Sequence, residues 1–159
     1  MLNNRLNEKK IGTANVIVDI VPKGYCIPNV KINTTSITIH QTGNIDSTAK
    51  GNHNYMKNIN RSGARIASWH FTVDDKEIYQ AQSTNYKCYH AGTAAGNNTS
   101  IGIEICMFTD RERQKQAYLN AIELVKDRNS KEPLDYKLRT GYQIYKKALE
   151  NGENGGSGK

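Results

Sequence analysis

Residues 100–106 read Ser-Ile-Gly-Ile-Glu-Ile-Cys, a strict alternation that sets Ile101, Ile103 and Ile105 on one side of an extended chain and Gly102, Glu104 and Cys106 on the other. Three β-branched residues on one face predict a strand packed on a core. A carboxylate on the opposite face fits either a solvated or salt-bridged strand residue or a side chain projecting into a cleft. Working outward, residues 36–40 (Ser-Ile-Thr-Ile-His) alternate in the same way, and Thr42-Gly43-Asn44 supplies turn chemistry after them. His40 is therefore expected at the carboxyl end of a strand. Asp46 and Ser47 are suitable helix caps for residues 49–59, where Tyr55, Met56 and Ile59 supply apolar positions and residues 60–63 close the helix.

Residues 67–73 and 77–81 are strand-like runs on either side of Asp74-Asp75-Lys76, which reads as a hairpin turn. Upstream, residues 14–22 (ANVIVDIVP) form an apolar, β-branched strand ended by Pro22, and residues 23–33 are loop. Residues 85–98 are expected as a second long loop. Asp110 opens a helix through about Asp127, with Ala117, Leu119, Ile122, Leu124 and Val125 as its apolar residues. The order β-β-α-β-β-β-α predicts an α/β fold, a mixed central β-sheet flanked by helices, with function where strand ends meet long loops. Residues 128–133 read as a polar breaker, 134–150 as a lone amphipathic helix and 151–159 (NGENGGSGK) as a flexible end. The domain reading is thus 1–128, followed by an unrelated tail at 129–159.

Length and composition agree: 159 residues, 36% of them hydrophobic, suit one domain with some tail. No stretch approaches the roughly 18 consecutive apolar residues that a spanning helix needs, so no membrane partner is expected. The first ten residues carry charge and Asn where a secretory signal needs an apolar run, so synthesis in the cytoplasm without a signal peptide is expected. Three cysteines, Cys26, Cys88 and Cys106, are an odd number without a Cys-x-x-Cys pair, which argues against a disulfide framework and for buried thiols. The formal charge of +7 predicts attraction to a polyanion. No run of five Lys or Arg occurs and no nucleic-acid-binding signature is present, so nucleic acid is not the expected partner. A monomer is expected.

The chain has four histidines, His40, His53, His70 and His90. A histidine taken alone is more often a hydrogen-bonded structural residue than a ligand. Position separates His40 from that background, because it and Glu104 lie on strands whose polar faces can share one cleft. An imidazole-bound metal beside a carboxylate that takes a proton from water is a standard arrangement for hydrolysing an amide near neutral pH.

Four ordered blocks then carry a resemblance: S-I-T-I-H-Q-T-G-N at 36–44, A-S-W-H-F-T-V-D-D-K-E-I-Y-Q at 67–80, Y-H-A-G at 89–92 and N-N-T-S-I-G-I-E-I-C at 97–106. Over about residues 16–126 the chain resembles the zinc-dependent N-acetylmuramoyl-L-alanine amidases, the type-2 amidases of phage endolysins and bacterial autolysins, related in fold to peptidoglycan recognition proteins. The resemblance implies hydrolysis of bacterial peptidoglycan at the cell wall, between N-acetylmuramic acid and the L-alanine of the stem peptide. It implies that His40 is a zinc ligand, that Glu104 is the catalytic acid and base, and that Trp69 stands beside the reaction centre. It further implies that His90 lines the substrate groove and that Thr99 and Ser100 lead into the strand bearing Glu104. His70 and His53 are assigned packing roles.

The family pattern also includes a second His and a Cys or Asp after the last helix. No His follows His90 here and no Cys follows Cys106, so the zinc (Zn) site is expected to be incomplete. Interruption of the reading frame before that block is the favoured explanation. The others are a non-catalytic peptidoglycan-binding module that kept the groove, and ligands drawn from Cys88, His90, Asp135 or another polypeptide.

Overall fold

The computed structural model describes residues 8–131. Its six strands are β1 (Lys10–Ile11), β2 (Ala14–Val18), β3 (Ser36–Ile45), β4 (Phe71–Val73), β5 (Glu77–Gln80) and β6 (Ser100–Met107), in the spatial order β1-β2-β5-β4-β6-β3. β6 runs parallel to both β3 and β4, whereas β4 and β5 form the antiparallel hairpin expected around Asp74-Asp75-Lys76. The sheet is therefore mixed. Helices α1 (Ala49–Ser62), α2 (Ala94–Thr99) and α3 (Arg111–Lys131) complete the described fold.

The alternation in β6 does what it predicts. Ile101, Ile103 and Ile105 are buried with Phe71 and Val73 of β4 against Ala117, Ala121 and Leu124 of α3, each large side chain contributing roughly 1.5–3 kcal/mol of transfer free energy. A second apolar cluster, Val21, Ile27, Met56, Trp69, Ala81 and Cys88, is built around α1 and its neighbouring loops. α1 itself packs on β4 and β5. Thr48 caps its first turn, its hydroxyl accepting from Gly51 N at 3.1 Å, so the cap lies one residue beyond the expected Asp46 and Ser47. Gly63 ends the helix at φ 69°, a left-handed conformation that glycine adopts without penalty.

Several boundaries differ from the sequence reading, each for a tertiary reason. β3 does not stop before Thr42-Gly43-Asn44: it continues to Ile45, which pairs with Met107 across a register shift after Gln41. His40 thus sits in mid-strand. β2 ends at Val18, short of Pro22, although Asp19 N and Val21 N still donate to Gln80 O and Ala81 O at 3.0 and 2.9 Å; the Asp19 side chain binds His53 and Lys57. β4 begins only at Phe71; residues 67–70 form no strand, and Ser68 N instead donates to Tyr89 O. β1 and α2 were not expected. α3 runs on through Arg128 to Lys131, where a breaker was expected, because the Arg128 side chain is buried and paired with Asp127 at 3.0 Å. The expected helix at 134–150 and flexible end at 151–159 lie outside the described residues.

Candidate active site

Parallel pairing puts His40 of β3 opposite Glu104 of β6, and Glu104 opposite Thr72 of β4. Register partners project to the same side of a sheet, so Thr72, Glu104 and His40 form a row across three strands, on the side away from the isoleucines. Trp69 joins this row through its indole: Nε1–H donates to Thr72 Oγ1 at 2.6 Å. Glu104 is half-buried, and loss of hydration pushes its carboxyl up to about 7, against an opposing pull from the Arg65 guanidinium. A carboxyl poised there is present in both protonation states near neutral pH.

His90 closes the row on the β3 side. Its Nδ1 lies 3.3 Å from His40 Nε2, and its Nε2 lies 3.2 Å from the carbonyl oxygen of Ser100. A carbonyl only accepts, so His90 Nε2 carries the hydrogen and its Nδ1 is bare. His40 Nε2–H is then the donor between the rings, which leaves the lone pair of His40 on Nδ1. Burial holds both imidazoles in the neutral form, lowering His40 and taking His90 down to about 3, with the neighbouring His70 adding to the effect on His90.

The block around His90 is fixed by α2. Asn97 Oδ1 accepts from His90 N at 2.9 Å and from Ala91 N at 2.8 Å. Gly102 makes room for the ring: a methyl group there would meet His90 atoms at 2.6 to 2.9 Å. His70 is fully buried, donating from Nε2 to Tyr86 O at 2.8 Å and accepting at Nδ1 from Gly102 N at 2.9 Å. His53 is equally buried, with Nε2 3.0 Å from Asp19 Oδ2. Both have the packing roles expected of them.

Thr99 and Ser100 lie differently from the other candidates. The Thr99 hydroxyl donates back to Ala95 O at 2.8 Å within α2. Ser100 is buried, donating to Gly96 O at 2.7 Å and accepting from Thr38 Oγ1 at 3.0 Å, so its hydroxyl braces the strand beneath His90. The sequence reading overlooked Thr72, Asn97 and Gly102. Gly102 had a signal, being the one residue without a side chain on the polar face of β6. Thr72 and Asn97 had none, since their importance lies in which strand and which ring they meet.

The family model described as N-acetylmuramoyl-L-alanine amidase matches residues 31–148, well over half of the chain. The chain belongs to this amidase family. It is 40% identical over 117 residues to the N-acetylmuramoyl-L-alanine amidase XlyA of Bacillus subtilis strain 168, covering 70% of this chain and 38% of that protein. It is likewise 40% identical over 97 residues to the amidase CwlA of the same strain, covering 57% of this chain and 34% of the relative. The chain thus spans little more than a third of the length of these curated relatives. Among solved structures, the catalytic domain of XlyA superposes with a TM-score of 0.68 at 35% identity, covering 77% of this chain and 80% of that one.

The resemblance implies zinc, and the amidase chain's own donors test that. All four histidines and all three cysteines are among the described residues. Cys26, Cys88 and Cys106 are buried, and desolvation pushes the Cys88 and Cys106 thiols far above their ordinary range, so Cys88 is not a ready thiolate ligand. His53 and His70 are engaged as described above, and His90 is turned toward His40 and Ser100. Among the described residues no three His, Cys, Asp or Glu side chains converge as a metal site. Asp135 lies outside them. Three protein ligands plus water are the usual requirement for catalytic zinc, so the described residues do not fit the ion.

Proposed function

We propose that this amidase domain hydrolyses peptidoglycan at the amide between the lactyl group of N-acetylmuramic acid and the first L-alanine of the stem peptide, in the manner of an endolysin or autolysin. The observation that carries the reading is the register pair of His40 and Glu104, a neutral imidazole beside a carboxyl whose proton affinity is set near neutrality. The ionised carboxylate takes a proton from the attacking water; the resulting acid returns it to the departing amine. Trp69, fixed by Thr72, and His90, fixed by Asn97 and Ser100, form the walls that orient the muramyl peptide beside this carboxyl. The net charge of +7 favours adsorption to an anionic polymer, which for a peptidoglycan hydrolase is an anionic wall polymer, and this attraction weakens as salt rises.

Because the described donors do not fit zinc, no step is assigned to the ion, and this chain is expected to hold zinc far more weakly than a three-ligand site does. Metal analysis finding one tightly held zinc per purified chain would overturn that expectation. The same misfit favours one second reading, a peptidoglycan-binding module without hydrolysis. Purified sacculi distinguish them. Turbidity loss with newly exposed alanine amino termini, absent in Glu104→Gln, supports the hydrolase; retained sacculus binding without new termini supports the binding module.

A further inference from the structure

Along α1, Asn54, Lys57, Asn58 and Arg61 recur at i, i+3, i+4 and i+7 and so share one face of the helix. With Val21 and Pro22, from the segment after β2, this stripe lines a groove of about 410 Å³, the size of a small-molecule site. The spatial order β2-β5-β4-β6-β3 puts the groove on the β2 side of α1, away from His40 of β3 and Glu104 of β6. The acceptors around it are already engaged. Asp19 Oδ2 accepts from Lys57 Nζ at 2.8 Å and lies 3.0 Å from His53 Nε2. Asn58 Oδ1 accepts from Arg61 Nη2 at 2.6 Å, and Asn60 Oδ1 accepts from Cys26 N and Ile27 N at 2.8 and 3.0 Å. Pro22 O accepts from Asn60 Nδ2 at 3.0 Å. What faces the groove is a set of donors: the other N–H groups of Arg61, the Asn58 amide nitrogen and the rest of the Lys57 ammonium, with Asn54 adding an amide that can do either. The lining includes two cations and no acid. Such a surface is complementary to an oxyanion, which only accepts.

We infer that this groove is a second binding site, separate from the catalytic row, for the phosphodiester units of an anionic polyol-phosphate wall polymer, a role that rests on the amidase reading for its setting at the wall. It gives a place on the chain to an attraction that the net charge of +7 leaves general. A phosphodiester carries one negative charge on two oxygens that only accept, which matches the planar fork of Arg61. The bond from Arg61 Nη2 to Asn58 fixes that fork at the groove before any ligand arrives, so less side-chain freedom is lost on binding. The carbon backbone of the polyol suits Val21 and Pro22, and its hydroxyls suit Asn54. An uncharged glycan strand fits less well, because its many hydroxyl hydrogens need acceptors and few side-chain acceptors are open here.

The test titrates a polyglycerol-phosphate oligomer into the full chain and into three variants. Arg61→Gln should weaken binding about tenfold, as expected for the loss of one charge-assisted pair. Asn58→Ala leaves the net charge unchanged but releases the guanidinium, and it should lose part of the same affinity. Lys115→Gln makes an equal charge change at an exposed position of α3 and should alter binding by less than about twofold. Equal weakening in Arg61→Gln and Lys115→Gln, or no loss in Asn58→Ala, would reduce the attraction to net charge and overturn the groove. Tighter binding of an uncharged glycan oligomer, or of a DNA oligomer of the same charge, overturns the polyol phosphate as its occupant. Each of these results leaves the amidase reading standing, since that is scored separately, by new alanine amino termini released from sacculi.

Discussion

The two faces of β6 constrain their neighbours in different ways. On one, Ile101, Ile103 and Ile105 are buried against α3 and β4, and what they require is apolar volume. On the other, Gly102 must lack a side chain for His90 to approach, Glu104 must find Thr72 and His40 in register, and His70 must bond both Gly102 and Tyr86. The first face is specified by hydrophobicity, which tolerates exchange of similar shapes; the second is specified by individual atoms. Stability should therefore reside on the isoleucine side and chemistry on the other.

The sharpest break between the faces is Glu104→Gln. Hydrolysis of sacculi should fall by about 10²- to 10⁴-fold, the usual worth of general acid–base catalysis, while the melting temperature holds or rises because a desolvated carboxyl has been removed. Retained lysis together with a melting temperature several degrees lower would invert the assignment.

The complementary change, Ile103→Ala, should cost roughly 2–5 kcal/mol in urea unfolding, since Ile103 is fully buried and leaves a cavity. Activity per folded molecule should be untouched. A mutant that keeps its stability but loses catalysis would show that this face is not merely core.

Acid titration probes the polar face as a whole. His70 is held down to about 4 by burial, while the unfolded chain has the ordinary value near 6.5. Between those two values only the unfolded chain takes up the proton, so this group's contribution is complete above pH 6.5 and is lost as pH falls toward 4, on the order of 3 kcal/mol in all. Glu104, raised to about 7, works in the opposite direction over much of the same window. The measurement is therefore made in Glu104→Gln, where unfolding free energy should decline steadily from pH 7 to pH 4.5; a flat profile would contradict a neutral, buried His70.

Gly102→Ala is the smallest expected effect and the most local. The added methyl would lie 2.6 Å from the His90 ring, so the ring must move, at roughly 1–3 kcal/mol of stability. Imidazole NMR signals of His40 and His90 should shift together as their contact opens, while His53 stays in place. An unchanged His40 signal would mean that the two rings are not coupled.

Much of this fold was legible along the chain because its decisive signals are local. The period-two pattern in residues 101–105 set both the strand and the side on which Glu104 stands, and Asp74-Asp75-Lys76 marked the hairpin. Signals failed where tertiary contacts override local chemistry. Thr42-Gly43-Asn44 looks like a stop, yet pairing of Ile45 with Met107 carries β3 through it. α2 (Ala-Ala-Gly-Asn-Asn-Thr) has no apolar periodicity, and it forms with a Thr93 cap accepting from Gly96 N while Asn97 holds the His90 backbone. Arg128 looks like surface and is buried.

The sequence by itself determined the alternation that buries three isoleucines and the family to which the chain belongs through its ordered blocks, and it nominated His40 and Glu104 for the site. Only the tertiary structure decided that His40 and Glu104 are register partners, that His90 bonds His40, and that desolvation raises the Glu104 carboxyl. The physical reason is range. Side-chain direction within a strand follows from bonds between adjacent residues, whereas register, proton affinity and the pairing of charges depend on groups that are distant in the chain and meet only when the sheet has closed.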